Sequence, residues 1–205
     1  MKEKSLRWAI LLGLAFIIAL GVAAIAFGQW RSQKVEQGSA PAVFPPSLAR
    51  AATAQQQYAL AAEVAQSWQP DSLPAVISVH RQSQHGRWPT DITWMFEFYS
   101  PATHRLAVVA VGGGRTWLLQ EKISPYSVPT FTETDWQVNS ARALQAWWDA
   151  GGATFVALHS EQVDLTTQLR IPPGGEHPVW TIVGLAGDQV WRVAVDGATG
   201  ELVPD

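Results

Sequence analysis

Histidine is the side chain that most readily serves both acid–base chemistry and metal binding, and this chain has five of them. They are His80, His85, His104, His159 and His177. No two have the i, i+4 spacing of a helical metal site, and no H-E-x-x-H sequence is present. The absence of cysteine from the sequence excludes thiolate metal ligands, a cysteine nucleophile and disulfides. We therefore expect surface or turn histidines, with no metal site and no cofactor.

Patterns for other catalytic centres are incomplete. The chain lacks the G-x-S-x-G nucleophile motif, and the adjacent His159 and Ser160, with Asp164 nearby, fall on one predicted strand and its exit, where neighbouring side chains face opposite directions. The run Gly112-Gly113-Gly114-Arg115 lacks the Lys-Ser/Thr ending of a phosphate-binding loop. The sequence thus predicts no catalytic residue and a protein that is not an enzyme, and a hydrolase with an unfamiliar site is the least favoured alternative.

The segment Asp196-Gly197-Ala198-Thr199-Gly200 has the composition of a tight turn. An aspartate carboxylate can accept backbone N–H groups within a turn, and threonine can form similar local bonds. Gly197 and Gly200 tolerate positive φ. We expect Asp196, Gly197, Thr199 and Gly200 to form a structural turn between two strands.

The surroundings of this turn resemble the end of a PepSY domain. A tryptophan-led strand at Trp180 is followed by a tight turn, a second apolar strand and the sequence V-D-x-x-T-G-E-L, which ends at Leu202. The upstream Trp136-Gln137-Val138-Asn139-Ser140 resembles the helix entry of the same family, so that the similarity covers Trp136 to Val203. The resemblance implies an extracytoplasmic accessory module that restrains or modulates peptidases and has no catalytic residues.

Eleven tryptophans are an unusually high number for a chain of this length. Most should lie in the core, including Trp94 and Trp180 on predicted strands, because a large aromatic ring buries extensive apolar area. Trp147 directly precedes Trp148 on a predicted helix, and Trp88 lies in a loop beside a proline. We expect Trp88 and Trp147 to be the aromatic residues available for a binding surface.

Two parts of the chain share one order of elements, in which a helix precedes an antiparallel meander. The first has helical periodicity over 48–68 and predicted strands at 75–80, 92–99, 105–111 and 116–119. The second has a helix from Asn139 or Ser140 to about Ala150 and predicted strands at 154–159, 179–185, 190–195 and 201–203. Aligning Trp94 with Trp180 superposes the two hairpins. The predicted fold class is therefore α+β, with two tandem helix-on-sheet units at 48–125 and 126–205, the first a diverged copy of the second.

Residues 8–28 form an apolar segment without a charged side chain. At about 1.5 Å per residue it is long enough to cross a hydrocarbon core of about 30 Å, so we predict a transmembrane helix or uncleaved signal anchor. The alternative is a signal peptide cleaved after Ala24-Ile25-Ala26. Basic residues before it favour a cytoplasmic stub at 1–7. A proline-rich spacer at 29–47 would then lead to a domain outside the cytoplasm, tethered to the cell membrane by a single span.

Charge argues against a nucleic-acid partner. Three of the 14 basic residues and one of the 17 acidic residues precede Trp8, which leaves 11 bases against 16 acids in the remainder. A nucleic-acid-binding surface would need a basic face. We expect a membrane-tethered, non-enzymatic module that binds an unknown protein or peptide, in particular a protease. The alternative is an envelope structural or assembly protein that contacts a membrane partner through exposed tryptophans.

Overall fold

A computed structural model describes residues 43–204 of the chain. The helices are α1 (Pro46–Arg50), α2 (Ala54–Trp68), α3 (Ser140–Trp147) and α4 (Ala153–Leu158). The strands are β1 (Leu73–Gln84), β2 (Trp94–Ser100), β3 (Arg105–Gly112), β4 (Arg115–Ile123), β5 (Gln162–Arg170), β6 (Val179–Ala186), β7 (Gln189–Asp196) and β8 (Leu202–Val203).

All eight strands belong to one antiparallel sheet in the order β4-β3-β2-β1-β5-β6-β7-β8. The α+β class agrees with the sequence, but the predicted division into two separate sheet units is wrong. The ladder between β1 and β5 runs from the pair Val76 and Arg170 to the pair Gln84 and Gln162, and it joins the two halves at the centre of the sheet. The polar end of β1, beyond the predicted strand 75–80, pairs with β5 instead of forming a loop.

The predicted membrane-spanning part of the fold is not present among the described residues. No helix within 43–204 is long and apolar enough to cross a membrane. The segment 8–28, predicted as the transmembrane helix, lies outside the described residues, as do the stub at 1–7 and most of the spacer at 29–47.

The order of elements nevertheless repeats, and equivalent contacts occur in the two halves. Trp94 at the start of β2 donates its indole N–H to the carbonyl of Ala52, 42 residues earlier, at 2.8 Å. Trp180 on β6 donates to the carbonyl of Val138, also 42 residues earlier, at 2.9 Å. Each acceptor directly precedes the N-cap residue of a helix, and both indoles are fully buried. The predicted equivalence of Trp94 and Trp180 is therefore present in the structure.

The two major helices begin where their capping residues permit. Thr53 caps α2 in a capping box with Gln56, which ends the predicted continuous helix 48–68 and separates α1 from α2. Asn139, one of the two caps that the sequence predicts, caps α3 by accepting the N–H of Arg142 at 2.8 Å. The helix starts also meet each other, because the backbone N–H of Ala54 donates to the Ser140 hydroxyl at 3.1 Å.

The predicted strand at 154–159 is wrong, because these residues belong almost entirely to α4. Phe155 and Val156 turn into the core from this helix, so tertiary packing overrides their β propensity. The sequence does not predict β5, in which the buried Val163, Leu165 and Leu169 alternate with exposed or half-buried residues.

One face of the sheet carries all four helices. Each helix buries side chains in the same core cluster as Ile77, Phe96 and Ile182, which lie on the inner side of the strands. Alternate residues such as Ser78, His80 and Gln168 face the other way. We refer to that second surface as the open face.

Candidate peptide-binding edge

The predicted surface histidines take part in local polar contacts. His80 lies on the open face, where its Nε2 is 3.3 Å from Asp164 Oδ1 and its Nδ1 is 3.4 Å from Thr166 Oγ1. His104 occupies a turn with φ of 52° and contacts the Tyr99 hydroxyl at 2.8 Å. Within residues 43–204, no three His, Cys, Asp or Glu side chains are grouped as metal ligands would be.

A serine and an aspartate that meet in space also have a structural role. Ser100 donates to Asp71 Oδ1 at 2.7 Å, and the backbone N–H of Ala102 donates to the other carboxylate oxygen at 2.8 Å. These bonds lower the pKa of Asp71, the backbone bond contributing most. The pair fastens the loop before β1 to the turn between β2 and β3.

The Asp196 turn forms as the sequence predicted. Asp196 Oδ1 accepts the backbone N–H groups of Ala198 and Thr199, each at 2.8 Å, and the bond from Thr199 is the main reason that the pKa of Asp196 is lowered. Gly200 has φ of +81°. Gly197 does not have positive φ; its Cβ position would lie 2.5 Å from the carbonyl oxygen of Pro178, so close backbone packing requires glycine there.

The turn also contacts the start of α3, so the two parts of the PepSY-like pattern lie together. The N–H of Val138 donates to the carbonyl of Gly197 at 2.8 Å, and the Val138 carbonyl accepts the Trp180 indole. Arg142 donates to the carbonyl of Thr199 at 3.3 Å. Through these contacts, Gly197 and Thr199 connect the turn between β7 and β8 to the start of α3.

The predicted binding surface of Trp88 and Trp147 is wrong. Trp88 is 4% exposed and Trp147 is 0% exposed, and both belong to the core cluster. The Trp147 ring fits into the core because it packs against Gly152 and Gly184, where any side chain would collide with it. Neither indole is available to a partner.

A run of exposed apolar side chains lies instead on β4, at one edge of the sheet. Trp117, Leu118, Leu119 and Ile123 are 39%, 40%, 55% and 76% exposed. Eight of the nine residues of β4 are exposed and the other is half-buried. The sequence predicts a strand at 116–119 but contains no signal that this strand is terminal in the sheet, since edge position depends on strand order.

Main-chain groups of β4 are directed away from the sheet. Gly113 and Gly114 form a two-residue turn with φ of +55° and +70°, the pattern of a type I′ hairpin. In such a hairpin the flanking residues, Gly112 and Arg115, exchange hydrogen bonds, and alternate residues point outward. Thr116 and Leu118 therefore direct their N–H and C=O groups away from β3.

A β-bulge limits the regular part of this edge. Val109 pairs with Leu118 while Val108 pairs with Gln120, so Leu119 is an extra residue in β4. Bulges on edge strands interrupt long edge-to-edge pairing between molecules. The regular stretch before the bulge is Arg115–Leu118, and an open depression of about 450 Å³ lies beside Arg115, Thr116 and Trp117.

Comparison with protein-family models, with curated proteins and with solved structures finds no match to this chain. The resemblance to PepSY domains therefore stays a prediction from the residues quoted above.

Proposed function

We propose that this chain is a non-enzymatic binding module that acts outside the cytoplasm and holds an extended segment of a partner protein along β4. In keeping with its PepSY-like sequence, the partner class proposed is a peptidase whose activity the module modulates. The mechanism is occupancy, because main-chain bonds to a sheet edge provide affinity and adjacent side chains provide selectivity.

The observation that carries this proposal is the exposed apolar strand at the edge of the sheet. Soluble proteins protect such strands with short length, charge, bulges or a covering element. On β4, Trp117, Leu118 and Leu119 are exposed beside outward main-chain groups, and the bulge at Leu119 protects only the strand beyond it. The four regular residues before the bulge are suited to pairing with a short partner segment.

The alternative function is envelope assembly through exposed tryptophans, and neither tryptophan proposed for it is exposed. Trp88 and Trp147 are buried, while the exposed Trp117 lies on the proposed binding edge. A structural partner would therefore use the same edge as a peptidase, and the two functions differ in which protein is bound.

The main-chain part of the proposal is tested with Leu118→Pro. Proline removes the outward N–H of an edge residue and is tolerated there, because no bond to the neighbouring strand is lost. A photoreactive amino acid at Leu119, which is 55% exposed and directly follows the regular stretch, should crosslink an extended segment of a partner in envelope membranes. Leu118→Pro should abolish the crosslink while the far-UV circular dichroism of the domain stays unchanged.

Two controls distinguish edge pairing from nonspecific hydrophobic binding. Leu118→Thr removes the apolar side chain but retains the N–H, and it should preserve most of the crosslinking. A photoreactive group at Leu158, which is exposed on α4, should not capture the same protein. Equal capture by the Leu118→Pro variant would reject the proposed edge pairing. If the captured protein is a peptidase, adding the purified domain should change its rate of peptide hydrolysis.

The location outside the cytoplasm is proposed from the apolar segment 8–28 and its basic flank. A phosphatase that is active only after export should be active when fused after Val203. A reporter that works only in the cytoplasm should be inactive at the same position, and the reverse result would contradict export.

A further inference from the structure

We infer that the segment bound along β4 is acidic, with a carboxylate that meets Arg115 next to an apolar side chain that packs on Trp117. This inference deepens the proposed function, because it assigns a chemistry to the partner segment.

Arg115 and Trp117 lie side by side on this face. Trp117 pairs with Ala110, which pairs in turn with Met95 on β2, and Met95 pairs with Ser78 on the open face of β1. Arg115 is two positions from Trp117, and side chains two apart on a strand share a face. Together with Thr116 they border the depression of about 450 Å³.

The only carboxylate on β4 is already engaged. Glu121 Oε1 is 3.0 Å from Arg105 Nη2, and Glu121 Oε2 accepts the Trp68 indole N–H at 2.7 Å. Both oxygens of this acid are therefore committed to residues of the same chain.

The charge that β4 offers to a partner is consequently positive. Arg115 is exposed and has no carboxylate within 4.0 Å among residues 43–204. Lys122 adds a second positive charge on the same face, near Glu97. Burial raises the pKa of Glu97, and the positive charge of Lys122 partly opposes this increase. Since Lys122 is partly compensated by Glu97, Arg115 is the principal cation for an incoming segment.

An added strand lies about 4.8 Å from its neighbour, with matching faces. Its open-face side chains would therefore stand directly beside Arg115 and Trp117. An arginine presents a fork of N–H donors that matches a carboxylate, and the indole favours an apolar or aromatic side chain. The partner segment should then have an acidic residue two positions from an apolar one.

The experiment uses a displayed library of random dodecapeptides selected on the purified domain. Peptides from the wild-type selection should be enriched in Asp or Glu two positions from an aliphatic or aromatic residue. On the Arg115→Glu domain, Lys or Arg should replace the acid. A selected acidic peptide should bind Arg115→Glu about tenfold more weakly than wild type in about 0.1 M salt, since an attraction becomes a repulsion.

Arg170→Glu is the matched control. Arg170 is also exposed and, through its pairing with Val76, lies on the open face, but β5 is four strands from β4, or about 19 Å at the usual strand spacing. Salt screens charges at that separation, so this variant should bind the acidic peptide as wild type does. Equal weakening by Arg170→Glu would attribute the preference to net charge and overturn the inference.

The proline variant separates the two proposals. If selected peptides carry no acidic preference but lose binding to Leu118→Pro, edge binding stands and the acidic segment is rejected. If acidic peptides bind Leu118→Pro as well as wild type, edge pairing fails although the charge preference remains. If no peptide is enriched on the wild-type domain, both proposals are rejected.

Discussion

Asp196 shows how a residue that could bind a ligand is used by the fold itself. Its carboxylate accepts two backbone N–H groups of its own turn, and these bonds lower its pKa below the ordinary value. The ionised form is therefore favoured in the folded state. Its contribution to stability is fully present above the unfolded-state pKa of about 3.9 and is lost as pH falls through the lower folded-state pKa.

Substitutions in this turn should separate geometry from charge. Asp196→Asn should lower the melting temperature only slightly at pH 7, because the amide oxygen still accepts both bonds, and should reduce the loss of stability in acid. Gly200→Val should be clearly destabilising, because a β-branched residue is strained at φ of +81°. Thermal melts of both variants between pH 7 and pH 3 measure this. An Asp196→Asn protein less stable than Gly200→Val at pH 7 would contradict the structural role.

Arg81 is a charged residue in the core. It is 2% exposed, its Nε and Nη1 have no hydrogen-bond partner among residues 43–204, and burial lowers its pKa to about 10. A buried charge without an ion partner is costly, and apolar replacements of similar volume often stabilise. Arg81→Met should therefore raise the free energy of unfolding by about 1 to 4 kcal/mol in urea titrations. A loss of stability would instead indicate that the guanidinium makes a favourable contact.

Local rules predict the caps, hairpins and turns of this chain best. The Asn139 cap, the hairpin from Trp94 and the Asp196 turn depend on neighbouring residues, so the sequence was sufficient to identify them. The sequence does not predict β5 although Val163, Leu165 and Leu169 lie on one face, because two threonines and two glutamines between and beside them weaken the apolar alternation. Its position at the centre of the sheet follows from pairing with β1, which no local rule contains.

The candidate site was misplaced for the same reason. Trp147 is buried because Gly152 and Gly184, which lie far apart in sequence, leave room for its ring. The exposure of Trp117 follows from the edge position of β4, which depends on the order of all eight strands. Residue type indicated that an exposed tryptophan could bind a partner, but only the fold determines which tryptophan is exposed.

The two equivalent tryptophans provide a matched test of the repeated element. Trp180→Ala should cost about 3 to 5 kcal/mol, because a fully buried large aromatic is truncated. Trp94→Phe and Trp180→Phe retain most of the ring but leave the carbonyls of Ala52 and Val138 without their indole donors. Each should cost about 1 to 3 kcal/mol, by similar amounts in both halves. A cost below about 1 kcal/mol for Trp180→Ala in urea unfolding would contradict its place in the core.

The two halves of the molecule are joined by the central ladder of β1 and β5. His80 and Thr166 pair there although they are 86 residues apart in sequence. Apart from β1 and β5, every two neighbouring strands in the sheet are consecutive in the chain. The domain thus consists of two local meanders and one long-range connection.

That connection has a consequence for the order of folding. Hairpins close within microseconds, whereas pairing of distant strands waits for the closure of a long loop, so the two meanders should form before β1 meets β5. Val109→Ala, within a local hairpin, should slow folding, whereas Val79→Ala, in the central ladder, should mainly accelerate unfolding. Both valines are buried, so the two truncations are comparable, and stopped-flow chevron plots in urea measure the two rates. If Val79→Ala instead slows folding more than Val109→Ala does, the two halves meet early, and the central ladder is part of the folding nucleus.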